Sequence, residues 1–165
     1  MKILIIGIVA SGKTSLAKEL EKRLGISHFE IDSIVHDDLN KRKRSVLEQL
    51  KLIEEIDLNN DWIIEGTLRK NLDVLLEKSD KIIFMDISLK IRKRRIITRF
   101  IKQKFGLEKC NYKPTLEMLR LMFKWTKDFE NNKDEFLERL LAYTDKVIRI
   151  TDVLEINDVI DLIYA

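Results

Sequence analysis

Residues 7–14 read G-I-V-A-S-G-K-T. Two glycines, a lysine and a hydroxyl at the spacing G-x-x-x-x-G-K-[ST] are what a chain needs to wrap its backbone around a polyphosphate. The glycines let the main chain come close to an anion, and the N–H groups from Ala10 to Thr14 would point inward at it. Lys13 would reach the β and γ phosphates. The hydroxyl of Thr14 is a hard oxygen suited to Mg²⁺, and Ser15 follows on the first helical turn. Gly7, Ala10, Ser11, Gly12, Lys13, Thr14 and Ser15 are therefore candidate nucleotide-binding residues, with Mg²⁺ as the metal and ATP or GTP as the ligand.

Such a loop works only between a strand and a helix, and both are predicted. Lys2 to Ile6 is a short β-type run, and residues 15–24 carry Leu16, Ala17, Leu20 and Leu24 at helical spacing. A competing reading of the first ten residues is a secretory signal, against which the Gly-Lys-Thr ending argues. No stretch approaches the roughly 18 apolar residues needed to cross a bilayer. The single cysteine, Cys110, cannot close an internal disulfide. These features predict a reduced, cytoplasmic setting.

The 165 residues contain one proline and five glycines, with no repeat and no flexible linker, so one domain spanning residues 1–165 is expected. Strands alternate with helices along it. After the first strand and helix come a strand at 28–31 with a helix at 45–56, and a strand at 62–64 with a helix at 68–77. Two further apolar runs, K-I-I-F-M at 81–85 and K-V-I-R-I at 146–150, precede a last helix with Ile156, Val159, Ile160 and Ile163 on one stripe. Five buried strands with helical crossovers predict an α/β fold with a parallel sheet flanked by helices.

Between the fourth and fifth strands the period changes to a mostly helical segment with breaks near Gly106 and Pro114. From Ile87 to Trp125 there are 12 Lys or Arg against 2 acids, a local charge of +10, so the rest of the chain carries −7 of the total +3. The basic charge is concentrated in one insertion, which predicts an anionic ligand or partner there.

The chain resembles the P-loop kinases of the adenylate-kinase-like group, and within it the small proteins known as DNA topology modulation proteins. The likeness is carried by G-I-V-A-S-G-K-T, by E-I-D-S at 30–33, W-I-I-E-G-T-L-R at 62–69, I-I-F-M-D at 82–86 and R-R-I-I-T-R at 94–99. It implies a P-loop NTPase fold whose helical basic insertion, about 87–132, acts as a lid. It also implies that Glu65 holds Mg²⁺ through its waters, and that Arg69 binds an anionic group of the phosphoryl acceptor. An acid at the carboxyl end of a parallel strand independently faces the crevice where ligands bind. For Arg69 the alternative is a surface salt bridge on an exposed helix face.

Arg95 and Arg99 are four apart and share a helix face, as the lid arginines of that group do. Their role would be to meet the charge that phosphoryl transfer spreads over the γ oxygens, with Arg92 and Arg94 as neighbours able to share it. Asp32, at the end of the second strand, stands where related kinases place an acid that takes a proton from an acceptor hydroxyl. Asp86 is a reserve candidate for the metal or for arginine support, with helix capping before Ser88 as its alternative. The sequence departs from its relatives after Asp32, with S-I-V-H-D-D-L-N-K-R-K-R in place of an aromatic turn, and Ala10 stands where many carry glycine.

Phe100, Phe105, Met118, Met122, Phe123 and Trp125 could stack on bases, but their helical spacing predicts the packed core of a lid. His28, His36 and Cys110 are too sparse for a zinc site. The reading is an enzyme that transfers phosphoryl from Mg-ATP to a small acceptor, a nucleoside, nucleotide or related metabolite. Lys13, Arg95, Arg99 and Asp32 are its catalytic residues, and Asp32 and Arg69 bind the acceptor. The alternative is a nucleotide-switched protein that attaches to nucleic acid through the basic stretch.

Overall fold

A computed structural model describes residues 1–37, 39–108, 113–152 and 154–165; Cys110 lies outside the described residues. The chain runs β1 (Lys2–Ile6), α1 (Lys13–Leu24), β2 (His28–Glu30), α2 (Ile31–Val35), β3 (His36–Asp37), β4 (Arg42–Lys43) and α3 (Val46–Asp57). It continues β5 (Trp62–Gly66), a 3-10 turn (Lys70–Leu72), α4 (Val74–Lys78), β6 (Lys81–Met85), α5 (Leu89–Lys104), α6 (Leu116–Asn131), α7 (Lys133–Leu141), β7 (Val147–Ile150) and α8 (Ile156–Tyr164). Five strands form one parallel sheet in the order β2-β5-β1-β6-β7.

The apolar runs are strands because the sheet is covered on both faces. Successive side chains of β1 alternate, so Leu4 and Ile6 enter one core with Ile31, Trp62, Leu72 and Phe84, while Ile3 and Ile5 enter the other with Ala17, Leu20, Val159 and Ile163. Helix α1 stops where Gly25 takes the left-handed conformation (φ 69°) and its N–H bonds the Glu21 carbonyl at 2.9 Å. An aromatic chain, Phe84 to Phe136 to Phe129 with ring centroids 5.2 and 5.6 Å apart, ties α6 and α7 to β6.

Several boundaries differ from those the sequence predicts. Strand β2 ends at Glu30, so Asp32 sits in the first turn of the short helix α2 and does not end a strand. The segment after it forms a two-stranded antiparallel hairpin, β3 with β4. Arg44 fixes this hairpin by donating from Nη1 to the carbonyls of Ser33 at 2.6 Å and His36 at 2.7 Å, which close the open end of α2. Helix α3 opens with a capping box, Ser45 with Glu48, and Arg42 and Ser45 hold the Glu48 carboxyl down to about 2.

The helix expected over 68–77 is a 3-10 turn followed by one short helix. Leu68, Leu72, Leu75 and Leu76 are buried as their i, i+4, i+7, i+8 spacing predicts, but the backbone that buries them is not one regular helix, and Asn71 in its 3-10 turn donates to Gln49 Oε1 at 3.0 Å. Arg69 consequently lies in extended backbone (φ −103°, ψ 149°) and not on a helix face. At the other end of the sheet edge, Asp57 receives Lys2 at 2.7 Å, Lys78 at 2.9 Å and the Trp62 ring N–H at 3.0 Å, so its carboxyl stays far below the usual range. Helices α5, α6 and α7 occupy the stretch between β6 and β7, with the breaks falling near Gly106 and Pro114 as expected.

A candidate phosphoryl-transfer cleft above the parallel sheet

The loop from Gly7 to Gly12 curls over the carboxyl end of β1, because three of its residues can do what others cannot. A Cβ on Gly7 would lie 2.9 Å from the Met85 carbonyl oxygen, so only glycine fits between β1 and β6. Gly12 closes the loop with φ 106°, and helix α1 begins at Lys13. Ala10 also takes a positive φ of 61°, a conformation that strains a side chain and that glycine adopts freely.

Lys13 turns back on the loop and donates from Nζ to the Ile8 carbonyl at 3.0 Å. Its ammonium lies deep in the loop, and desolvation pushes its pKa below the ordinary lysine range against the pull of Glu65 and Asp32. The Thr14 hydroxyl donates to Glu65 Oε1 at 2.5 Å. Glu65 is 4% exposed, and burial pushes its carboxyl up, opposed by the Thr14 hydrogen bond and the Lys13 charge. A desolvated carboxylate beside a threonine hydroxyl is a pair of hard oxygens, the donor chemistry that Mg²⁺ takes. The fully buried Ser11 hydroxyl has no hydrogen-bond partner among the described residues.

From α5, Arg95 reaches the loop directly, donating from Nη1 to the carbonyls of Ser11 at 2.8 Å and Ala10 at 3.3 Å. Arg99 lines the same cleft and its Nε lies 3.1 Å from Glu108 Oε1. Arg94 also lines it. Arg92 does not: it is 1% exposed, bonds the Ile87 carbonyl at 2.8 Å and Glu130, and stacks over Phe129 at 5.8 Å. One position in three or four of a basic helix must face inward, and here that residue is an arginine with its charge met by Glu130.

On the opposite side of the loop, Arg69 Nη2 donates to Asp32 Oδ1 at 3.1 Å, which brings together the two residues expected to bind an acceptor. Asp86 is 8% exposed and is taken up by Arg149 at 2.5 Å and Lys133 at 2.6 Å; it caps nothing and lies outside the cleft lining. Ser88, at the start of α5, makes no side-chain cap. Thr67 donates to the Gly7 carbonyl at 3.2 Å, joining the end of β5 to the loop.

The loop from Ala10 to Thr14, with Asp32, Glu65, Arg69, Arg94, Arg95 and Arg99, lines one cleft of about 1540 Å³, together with Ser15, Glu30, Ser33, His36, Lys102 and Asp152; Gly7, Asp86 and Arg92 are not in its lining. Glu30, at the end of β2, and Ser33 and His36, in α2 and β3, escaped the sequence reading because these elements are too short for a strong period; the signal available was their nearness to Asp32. The aromatic residues and methionines of the lid divide, with Met118, Met122 and Trp125 lining the cleft and Phe105 standing 74% exposed. They do not form a single packed core. His28 is occupied by Glu21 at 2.6 Å, and among the described residues no cluster of His, Cys, Asp or Glu could hold a metal unaided. Among the same residues no helix is long and apolar enough to cross a membrane.

No family model matches the chain. It is 27% identical over 164 residues to the uncharacterized protein YqaC of Bacillus subtilis, covering 95% of this chain and 92% of that one. Among solved structures it is similar to a shikimate kinase from Aquifex aeolicus (TM-score 0.54, 16% identity, 99% of this chain and 94% of that one). It is similar also to a gluconokinase from Sinorhizobium meliloti (0.54, 15%, 97% and 87%) and a shikimate kinase from Bacteroides thetaiotaomicron (0.56, 14%, 99% and 98%). The fold is thus that of the P-loop kinases. These relatives lend no support to the finer expectation of a DNA-topology protein.

Proposed function

We propose that the chain transfers the γ-phosphoryl group of Mg-ATP to the hydroxyl of a small acceptor. The observation that carries this reading is the Thr14 hydroxyl 2.5 Å from buried Glu65, beside Lys13, at the floor of a cleft that also holds Arg69 with Asp32. Loop amides and Lys13 bind the phosphates, and the Ser11 hydroxyl gains a partner when they arrive. Thr14 and Glu65 would hold Mg²⁺, which would supply positive charge to the phosphate oxygens. The acceptor hydroxyl gives its proton to Asp32 as its oxygen bonds to phosphorus, while the bond to the β-phosphate oxygen breaks and ADP leaves.

Residues 87–132 serve as the lid in this reading. Arg95 and Arg99 swing from loop carbonyls and Glu108 to the γ oxygens when the cleft closes and excludes water. The test is incubation with Mg-ATP and a panel of nucleosides, nucleoside monophosphates, small alcohols and sugars, with product followed by ³¹P NMR. A phosphorylated acceptor is the expected result, and hydrolysis to inorganic phosphate alone would sink the reading.

A second reading is attachment to nucleic acid through the outer side of α5, where Lys90, Lys93 and Lys104 are exposed. Its mark would be DNA binding that falls steeply with salt and responds to ATP. Arg92 and Arg95 contribute nothing to it, since one is buried and the other faces the loop.

A further inference from the structure

The strand order divides the mouth of the cleft about the phosphate loop. The loop follows β1, the central strand; β6 and β7 lie to one side of it, and β5 and β2 to the other. Helix α5 leaves β6 and brings Arg94, Arg95, Arg99 and Lys102 to the cleft, a set of positive charges matched to a triphosphate. The β5–β2 side is built of different chemistry. Strands β5 and β2 and the segments that follow them contribute Glu30, Asp32, Glu65 and Arg69 to the lining, three carboxylates and one guanidinium.

The geometry shows how that charge is used. Glu30 and Glu65 stand in register on neighbouring parallel strands, so their side chains leave the sheet side by side. Arg69 is the one cation, and its guanidinium is already engaged by Asp32 at 3.1 Å. Even with Glu65 given over to the metal, Glu30 and Asp32 outnumber Arg69. A phosphate or carboxylate entering here would meet like charge beside a guanidinium already paired with Asp32 and a Lys13 ammonium turned onto the Ile8 carbonyl at 3.0 Å. The other polar groups, the hydroxyls of Ser33 and Thr67 and the ring of His36, suit neutral hydroxyl and amino groups. Trp125, Met118 and Met122 add an apolar wall to the same cleft.

The geometry points to an acceptor that is an uncharged or cationic hydroxyl compound, of the kind of a nucleoside or an amino alcohol, and not a nucleoside monophosphate or a hydroxy acid. This rests on the proposed phosphoryl transfer and sharpens it. Proton, phosphoryl group and ADP move as described above, so no further reactant is required. Glu30 acts as a specificity-determining residue, repelling anionic acceptors without touching the reacting atoms.

The test uses the full chain with Mg-ATP and matched pairs of acceptors: a nucleoside against its 5′-monophosphate, and 2-aminoethanol against glycolate. Product is followed by ³¹P NMR, and binding of each compound by saturation-transfer NMR with a non-hydrolysable ATP analogue. The uncharged or cationic member of a pair should show a kcat/KM at least about tenfold higher. Glu30→Gln should narrow that ratio, and Glu30→Lys should reverse it, while ATP binding is unchanged. Preference for the anionic member, or a ratio indifferent to both Glu30 variants, overturns the inference while leaving phosphoryl transfer standing. Absence of transfer with every compound overturns the proposed function; the acceptor inference then stands or falls on which member of each pair binds, and falls if none does.

Discussion

The two sides of the cleft are built by different means. On the donor side the contacts are mostly backbone: a tight loop between β1 and α1, held by Gly7 and Gly12, with Arg95 on its carbonyls. On the acceptor side they are side chains from three separate stretches, Glu30 to Ser33, His36, and Glu65 to Arg69, brought together by strand pairing and an ion pair. A site of backbone amides needs a fixed spacing of small residues, whereas a site of side chains needs only the right groups to meet in space. The first can be recognised in a sequence and the second must be folded to be seen.

If the donor side is the engine, damage there should be largest. Lys13→Ala removes the only side-chain ammonium placed within the loop, and Arg95→Ala the guanidinium poised against it. Each is expected to lower kcat by about 10³-fold or more, since the lost charge acts on the transferring group itself. Steady-state kinetics with the best acceptor checks this. A Lys13→Ala protein that worked at the parent rate would remove the functional meaning of the loop.

The hinge between the two sides is Glu65, and it gives a prediction of sign as well as size. Its folded pKa is raised above the ordinary 4.5 by burial, so the folded protein holds its proton more tightly than the unfolded chain does. Stability from this group is present below pH 4.5 and is lost as pH rises through the folded value, leaving ionised Glu65 as a cost to the ligand-free protein at neutral pH. Glu65→Gln should therefore raise the Tm of the ligand-free protein at pH 7, by a margin that shrinks as pH falls toward 4.5. It should also lower the rate by about 10- to 100-fold, as loss of a metal-supporting group does. Thermal melts from pH 4 to 8 would refute this if the variant were less stable across the range.

Arg69→Ala tests the acceptor side. Its partner Asp32 is 76% exposed in its side chain, so the pair contributes at most about 1 kcal/mol to folding. The expectation is unchanged Tm and unchanged KM for ATP, with the acceptor's KM raised by about tenfold. A rise in the KM for ATP of similar size would erase the division of the cleft into two sides.

The same contrast accounts for what could be read in advance. All five strands of the sheet and the loop were legible, the inner strands because burial on both faces leaves unbroken apolar runs and the loop because its residues follow a spaced motif. Asp32 and Arg69 were legible as residue types but not in their setting. Helix α2 is only five residues long, and the 3-10 turn after Arg69 only three, too short for a period to declare itself. Arg92 was misjudged with its neighbours because charge was counted along the chain, and its burial depends on Glu130, 38 positions further on. The expectation of a packed aromatic lid failed for a similar reason, since Trp125 and Phe105 share a composition but not an environment.

The smallest predicted effect tests how far the donor loop tolerates a side chain. Ala10 holds φ 61°, a left-handed conformation that costs an alanine about 1–2 kcal/mol and a glycine almost nothing. Replacing it with glycine also frees the unfolded chain, which takes back about 0.4–1 kcal/mol. The net expectation for Ala10→Gly is a gain of about 0.5–1 kcal/mol, read as a rise in Tm of roughly 1–4 °C, with ATP affinity within a factor of about three. A fall in Tm would mean that the Ala10 methyl makes contacts worth more than the strain it carries. In that case the loop is held partly by side-chain packing, and the line between the two sides of the cleft would be less sharp than its hydrogen bonds make it.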